Sequence, residues 1–281
     1  MNWKYYNHAA IPTTAPNENV DLEPIENGEI RQIDGHKPLL MRWTTDWDCG
    51  HETNWWYMIK DEPFDIEALK SKRRYEINKG NKNFDIKIIN PAEYREDLYR
   101  VQVAAFSAYP EKYRPTVDKE KFINGIETWN TYDVFGAFSK ETNELAGYAL
   151  LNRQTENFMD FMVLKTVPTM EKYAINAALV YGILSHYEEF LRNDGIICDG
   201  ARSINHETHF QDYLEKYFGF RKAYCRLHIK YNPKIDVLIK LLNLFRRLLL
   251  KFDDIGIIHS VNAVLKMEEI CREDNRLDKK Y

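Results

Sequence analysis

Three things are in short supply in this chain of 281 residues: paired cysteines, net charge and unbroken apolar sequence. Its four cysteines, Cys49, Cys198, Cys225 and Cys271, form no CxxC pair, so they read as free thiols of a reducing compartment rather than as a disulfide framework. A net charge of -4 supplies no global basic field, and DNA is not expected as a partner. The opening residues, MNWKYYNHAA, hold no apolar run like that of a signal peptide. The most apolar stretch, Leu238 to Phe252, is broken by Lys240, Arg246 and Arg247, which makes it too short and too charged to span a bilayer. These shortages together predict a cytoplasmic chain.

What the chain does have is enough apolar sequence, 44% of its residues, to fill the core of one large domain or two modest ones. Residues 9–27 are rich in Pro, Asn and Glu and read as an extended arm with little regular structure. Asp34-Gly35 then lies between two strand-like runs, where a tight hairpin needs residues that accept positive φ. A further strand reads at Trp55 to Ile59. Asp65 caps a helix reaching about Lys82, which carries Lys70, Lys72, Arg73, Arg74, Lys79 and Lys82. This most basic stretch reads either as a solvated helix face or as an anion-binding one.

From residue 85 the pattern is regular. Asp85 to Ile89 reads as a strand, and Asn90-Pro91-Ala92-Glu93 supplies an N-cap, a first-position proline and a reciprocal Glu for the next helix. Tyr94, Leu98, Val101 and Ala105 recur at helical spacing, and Phe122, Ile126 and Trp129 mark a second helix. Asp133 to Phe138, Leu145 to Asn152 and Asn157 to Leu164 read as an antiparallel meander. A long helix follows over Met170 to Leu191, then a buried strand at Ile196 to Cys198. A helix starting near Ser203 or Asn205 buries Phe210, Tyr213, Leu214 and Tyr217, and Gly219 ends it as a left-handed cap. Beyond it Ala223, Cys225, Leu227, Ile229 and Tyr231 alternate with a largely basic face.

This order of elements, with YLEKYFGFRKAY closing it, resembles the GNAT superfamily of acyl-CoA N-acyltransferases over residues 85–232. The basic segment LKSKRRYEINKGNK is similar to that of Fem-type aminoacyltransferases, which are built from GNAT-like halves. The resemblance implies an α/β (α+β) fold whose mixed, mostly antiparallel central sheet is flanked by helices. Residues 1–84 would add an N-terminal β-hairpin and basic helix, and residues 233–281 a helical C-terminal extension.

The resemblance also implies acyl-CoA as donor and an amine as acceptor, on a sugar-derived or cell-envelope precursor. Where the superfamily has a phosphate loop with spaced glycines, this chain reads LKTVPTMEKYAINAAL, without glycine. A helix N-terminus still offers N–H groups and a positive dipole end to a pyrophosphate, with Lys165, Thr166, Thr169 and Lys172 beside it. A different activated donor, or none, stays open. The superfamily's acid tyrosine has Leu214 in its place, and Tyr213 and Tyr217 are the nearest substitutes.

Transfer to an amine needs a base for the ammonium proton and donors for the oxyanion. The segment CDGARSINHETHF is the richest polar cluster: Asp199 or His206 is a candidate base, Glu207 a further catalytic candidate, and Arg202 and His209 substrate contacts. Arg73 and Arg74 are the corresponding contacts on the basic helix. The alternative is that Asp199 and Arg202 pair to hold a turn. The histidines of HETH stand one residue closer than in HExxH, and no metal is expected. Trp43, Trp47, Trp55 and Trp56 suit either a sugar face or a hairpin core.

The segment 234–252, with a narrow polar stripe and a broad apolar remainder, could cover the protein itself, lie on a membrane or join two copies. A helix from Ile257 to Cys271 favours the first. Two further functions compete with acyl-CoA chemistry: Fem-like aminoacyl transfer from tRNA, and a non-catalytic binding module.

Overall fold

A computed structural model of the chain describes residues 2–28, 30–111, 114–204 and 209–277. Its strands are β1 (Trp3–Tyr6), β2 (Ala9–Pro12), β3 (Leu40–Thr45), β4 (Trp55–Lys60), β5 (Phe84–Ile88), β6 (Asp133–Ser139), β7 (Leu145–Thr155), β8 (Phe158–Thr166), β9 (Ile196–Ala201) and β10 (Arg221–Tyr231). Its helices are α1 (Glu23–Glu26), α2 (Ser71–Asn83), α3 (Arg95–Ser107), α4 (Lys119–Gly125), α5 (Ile175–His186), α6 (Glu188–Arg192), α7 (His209–Phe218), α8 (Pro233–Leu244), α9 (Arg246–Leu249) and α10 (Gly256–Leu277). Two compact units interleave in sequence. One comprises Met1–Met58, Ala201–Phe210 and Lys222–Tyr281, and the other Ile59–Gly200 and Gln211–Arg221.

In the second of these units, β5 to β8 pair antiparallel in sequence order, and β9 joins β8 in parallel. Leu145 to Leu151 of β7 are buried without interruption, because both sheet faces are covered and alternation belongs to strands with one wet face. On one face Leu98, Val101 and Ile126 pack with Val134, Tyr148 and Leu150. On the other lies α5, whose Ile175, Ala178, Leu179 and Ile183 are buried. A Cβ on Gly182 would stand 2.7 Å from Ile86 of β5, and one on Gly80 of α2 would stand 2.6 Å from the Ala174 carbonyl oxygen. Contact on two sides explains why α5 is apolar nearly all round.

In the other unit β1 and β2 are antiparallel, β2 and β3 parallel, and β3 and β10 antiparallel. Trp3, Ala10, Ile25, Ile33 and Met41 form one core, and Trp55, Cys225, Leu227, Ile270 and Cys271 another. The alternation read over Ala223 to Tyr231 is that of β10, with Ala223, Cys225 and Leu227 buried.

Several expectations need correction. The arm over residues 9–27 begins as strand β2, where Ala10 is fully buried. Asp34 and Gly35 do adopt positive φ, 52° and 79°, but the turn closes on a single bridge between Ile33 and His36. The strand after it pairs with β2 and β10 instead of folding back on its predecessor. Asp65 accepts from the Glu67 amide in a local turn, and the basic helix begins at Ser71. The long helix over Met170 to Leu191 is three pieces, a 3-10 turn over Pro168–Tyr173, α5 and α6. Ala174 at φ 63° separates the first two.

Candidate active site

The site begins with where two strands part. Phe158, Met159 and Asp160 of β8 match Ile196, Ile197 and Cys198 of β9, and there the parallel pairing stops. β8 continues to Thr166 on β7 alone, while β9 passes through Asp199 to Gly200, whose φ of 90° turns the backbone. A wedge therefore opens between β8 from Phe161 onward and the end of β9. Two irregularities on the β7–β8 ladder bracket its apex. Leu150 matches Val163 but Leu151 matches Phe161, leaving Met162 as an extra residue, and a second shift falls between Arg153 and Thr155. Bulges of this kind re-aim backbone groups and side chains.

Asp199 stands at the apex. Its carboxyl is pushed up to about 7, first by burial; a side-chain hydrogen bond from Gln211 works against the shift, and the Asp160 carboxylate adds to it. Asp160 in turn accepts from the Gln154 amide at 2.5 Å, and Gln211 also donates to the Asp199 carbonyl oxygen at 3.4 Å. Two carboxyl groups side by side, one of them poised near neutrality, give a proton acceptor with a charged neighbour.

Asp160, Gln154 and Gln211 were not singled out from the sequence. Asp160 had a signal: it is the one charged residue in the apolar run FMDFMV, where only a pairing or a function keeps a carboxylate. Gln211 had none, since a buried glutamine on the first turn of an aromatic helix looks like any polar residue.

The other candidates fall in separate places. Tyr213 and Tyr217, four residues apart on one face of α7, pack edge to face at 5.1 Å, and the Arg73 guanidinium lies 3.4 Å above the Tyr217 ring. Burial, with Glu76 nearby, pushes the Tyr213 hydroxyl well above its ordinary range. Residues two apart on a helix do not share a face, so Tyr213 and Gln211 belong to different faces of α7. Arg74 is paired with Glu67 at 2.6 Å. Arg202 donates to the Asn54 carbonyl oxygen at 2.6 Å, and its amide to Trp56. His209 opens α7 with its side chain exposed. His206 and Glu207 lie outside the described residues.

The proposed donor residues share one segment. Lys165 ends near the Phe106 ring, 5.0 Å from its centroid, and burial lowers the affinity of its amine for a proton. The Thr166 hydroxyl donates to Asn176 at 3.0 Å, so it is already engaged. Thr169 and Lys172 are exposed on the 3-10 turn. Where a glycine is missing, Ala174 itself takes the left-handed conformation, and Gly80 supplies the close approach from α2. Among the tryptophans, Trp55 is core, Trp43 stacks on His228 at 5.3 Å and Lys222 lies over Trp56.

No protein-family model matches the chain, and no curated protein matches it in sequence. Solved structures share its fold. L-PGS from Bacillus licheniformis aligns over 87% of this chain and 85% of its own, with 12% identity and a TM-score of 0.52. The DUF2156 C-terminal domain from Agrobacterium fabrum, assigned to a lysylphosphatidylglycerol synthetase, aligns over 86% and 84%, with 8% identity and a TM-score of 0.54. FemX aligns over 85% of each chain, with 10% identity and a TM-score of 0.54. The mixed, mostly antiparallel sheet flanked by helices is thus the GNAT-like, Fem-type fold that the residue pattern resembled.

Proposed function

We propose that the chain transfers an activated acyl group to an amine in the wedge between β8 and β9. The observation that carries this reading is Asp199 at the apex, with its carboxyl raised to about 7 beside strand backbone that the parallel partner has left. The acyl carbonyl would lie along β8, where N–H groups beyond Asp160 can take the oxyanion. The ammonium proton passes to Asp199, the neutral nitrogen then forms its bond to the acyl carbon, and the bond to the leaving group breaks, the thiolate of the donor departing with the electron pair and taking its proton from solvent. Burial first, and the Asp160 carboxylate after it, make Asp199 basic enough to accept the ammonium proton.

Acyl-CoA is the first donor to test, held by Lys165, Thr169 and Lys172. A second reading, transfer of an aminoacyl group from tRNA, follows the resemblance to Fem-type aminoacyltransferases and is supported by the likeness to FemX. In that case the exposed Lys72 and Lys82 of α2 contribute phosphate contacts.

Calorimetry with acetyl-CoA and with a non-hydrolysable aminoacyl-tRNA analogue separates the donors. Micromolar binding of one, with turnover of its reactive form abolished by Asp199→Asn while binding persists, supports transfer. Binding of neither donor defeats the proposal and leaves a binding module for another ligand.

A further inference from the structure

We infer that the outward face of α8 and α9 is a lipid-binding surface that lies in the headgroup region of an anionic bilayer. The inference is independent of the transfer reading. Val237, Leu241, Leu244, Phe245, Leu248 and Phe252 are each about half exposed or more, with Leu244 at 77%. These are not scattered surface leucines of the ordinary kind; they follow one another at helical intervals along a single segment.

The orientation of the segment is fixed by its neighbours. Arg246, between Phe245 and the next leucines, turns inward: it donates to the Leu265 carbonyl oxygen at 2.8 Å and to Glu269 at 2.9 Å. Ile239 is buried on the same inner side. The chain therefore holds an arginine against α10 while presenting leucine and phenylalanine to the outside. A helix that needed only solubility would be turned the other way.

Charge selects the occupant. Lys234, Lys240, Arg247 and Lys251 are exposed around the apolar face. The nearby acids are Asp236, which pairs with Lys240 at 2.6 Å, Asp253, which accepts from His259 and Asn262, and exposed Asp254. A second copy docking through the same face would bring a second set of these cations onto the same apolar patch, where exposed Asp254 is, among the described residues, the nearby acid left to answer them. An anionic leaflet complements them, each basic side chain near its surface adding about fivefold in affinity. Among the described residues no helix is long and apolar enough to cross a membrane, so the contact is in the plane of the interface.

The test is co-sedimentation of the full chain with vesicles of phosphatidylcholine alone and of phosphatidylcholine mixed with phosphatidylglycerol. Binding to the mixed vesicles is expected to be stronger by about tenfold or more and to weaken with salt. Phe245→Ser with Leu248→Ser, at exposed sites that leave the fold intact by circular dichroism, should lower partitioning by about tenfold or more. Arg247→Glu with Lys251→Glu should remove the preference for phosphatidylglycerol. Absence of sedimentation with either vesicle overturns the inference. So does a dimer in sedimentation equilibrium that Phe245→Ser with Leu248→Ser dissociates.

Discussion

Asp160 and Asp199 stand on neighbouring parallel strands at the point where their pairing gives out: Asp160 is the last residue of β8 matched to β9, and Asp199 is the first of β9 beyond the match. Since Asp199 accepts a proton only when ionised, the transfer rate should rise as pH passes through about 7. Asp160→Asn removes a neighbouring negative charge and should move that midpoint to lower pH. Burial, the larger cause, remains, so the midpoint stays above the ordinary carboxylate range. A pH–rate profile unmoved by Asp160→Asn would detach the pair from the chemistry.

The same ionisation has a cost in stability. The folded-state pKa of Asp199 is raised above its ordinary 3.8, so its contribution to folding is fully present below about 4 and is lost as pH climbs through about 7. Asp199→Asn should therefore stabilise the protein relative to wild type at pH 8, by up to about 4 kcal/mol, with no such gain at pH 4. Urea unfolding of both proteins at the two pH values measures the difference. A variant that is less stable at pH 8 would mean that the carboxylate is better solvated than its burial implies.

The meander, the helix capped at Gly219 and the alternation of β10 were legible because each rests on local periodicity or on one residue with a special backbone. Gly219 sits at φ 66°, as a glycine cap requires, and the Phe220 amide reaches back to the Leu214 carbonyl. What was not legible depends on partners far along the chain. Ala10 is a strand residue because β2 runs between β1 and β3, and the run after Gly35 finds its partners in β2 and β10 rather than across the turn. In the site, Asp199 was readable from its polar neighbourhood. Its carboxylate neighbour Asp160 lies 39 residues earlier in the numbering and enters only through the strand register. The gap in the glycine pattern before α5 was readable as well. Its resolution, Ala174 in the left-handed region with Gly80 against it, needed the packing of α2.

Two glycines should respond to alanine for different reasons. A Cβ at Gly200 meets nothing within 4 Å, but φ is 90°, so Gly200→Ala should cost about 1 kcal/mol through the backbone alone. At Gly80 helical φ suits alanine, which is worth about 1 kcal/mol in propensity. Its Cβ would nevertheless stand 2.6 Å from the Ala174 carbonyl oxygen, a backbone atom that no rotamer change can move aside. Gly80→Ala should therefore be destabilising on balance, by about 1–3 kcal/mol. Denaturant midpoints rank the two, and a stabilised Gly80→Ala would show that α2 can shift on α5 freely.

Arg73 has two roles open to it, and stability measurements separate them. Its guanidinium lies 3.4 Å over the Tyr217 ring and 3.4 Å from Glu76, and the side chain is 28% exposed, so the stacked pair is partly shielded from water. Such a contact is worth about 0.5–1 kcal/mol beyond its area. A double-mutant cycle of Arg73→Ala and Tyr217→Leu should return a coupling of that size, because leucine keeps most of the apolar contact while removing the ring face. Arg73→Lys should recover little of it, since a compact ammonium lacks the plane that stacks on the ring. If instead the coupling is near zero while Arg73→Ala weakens donor binding, the guanidinium is held for the ligand and the ring serves only as the surface on which it rests.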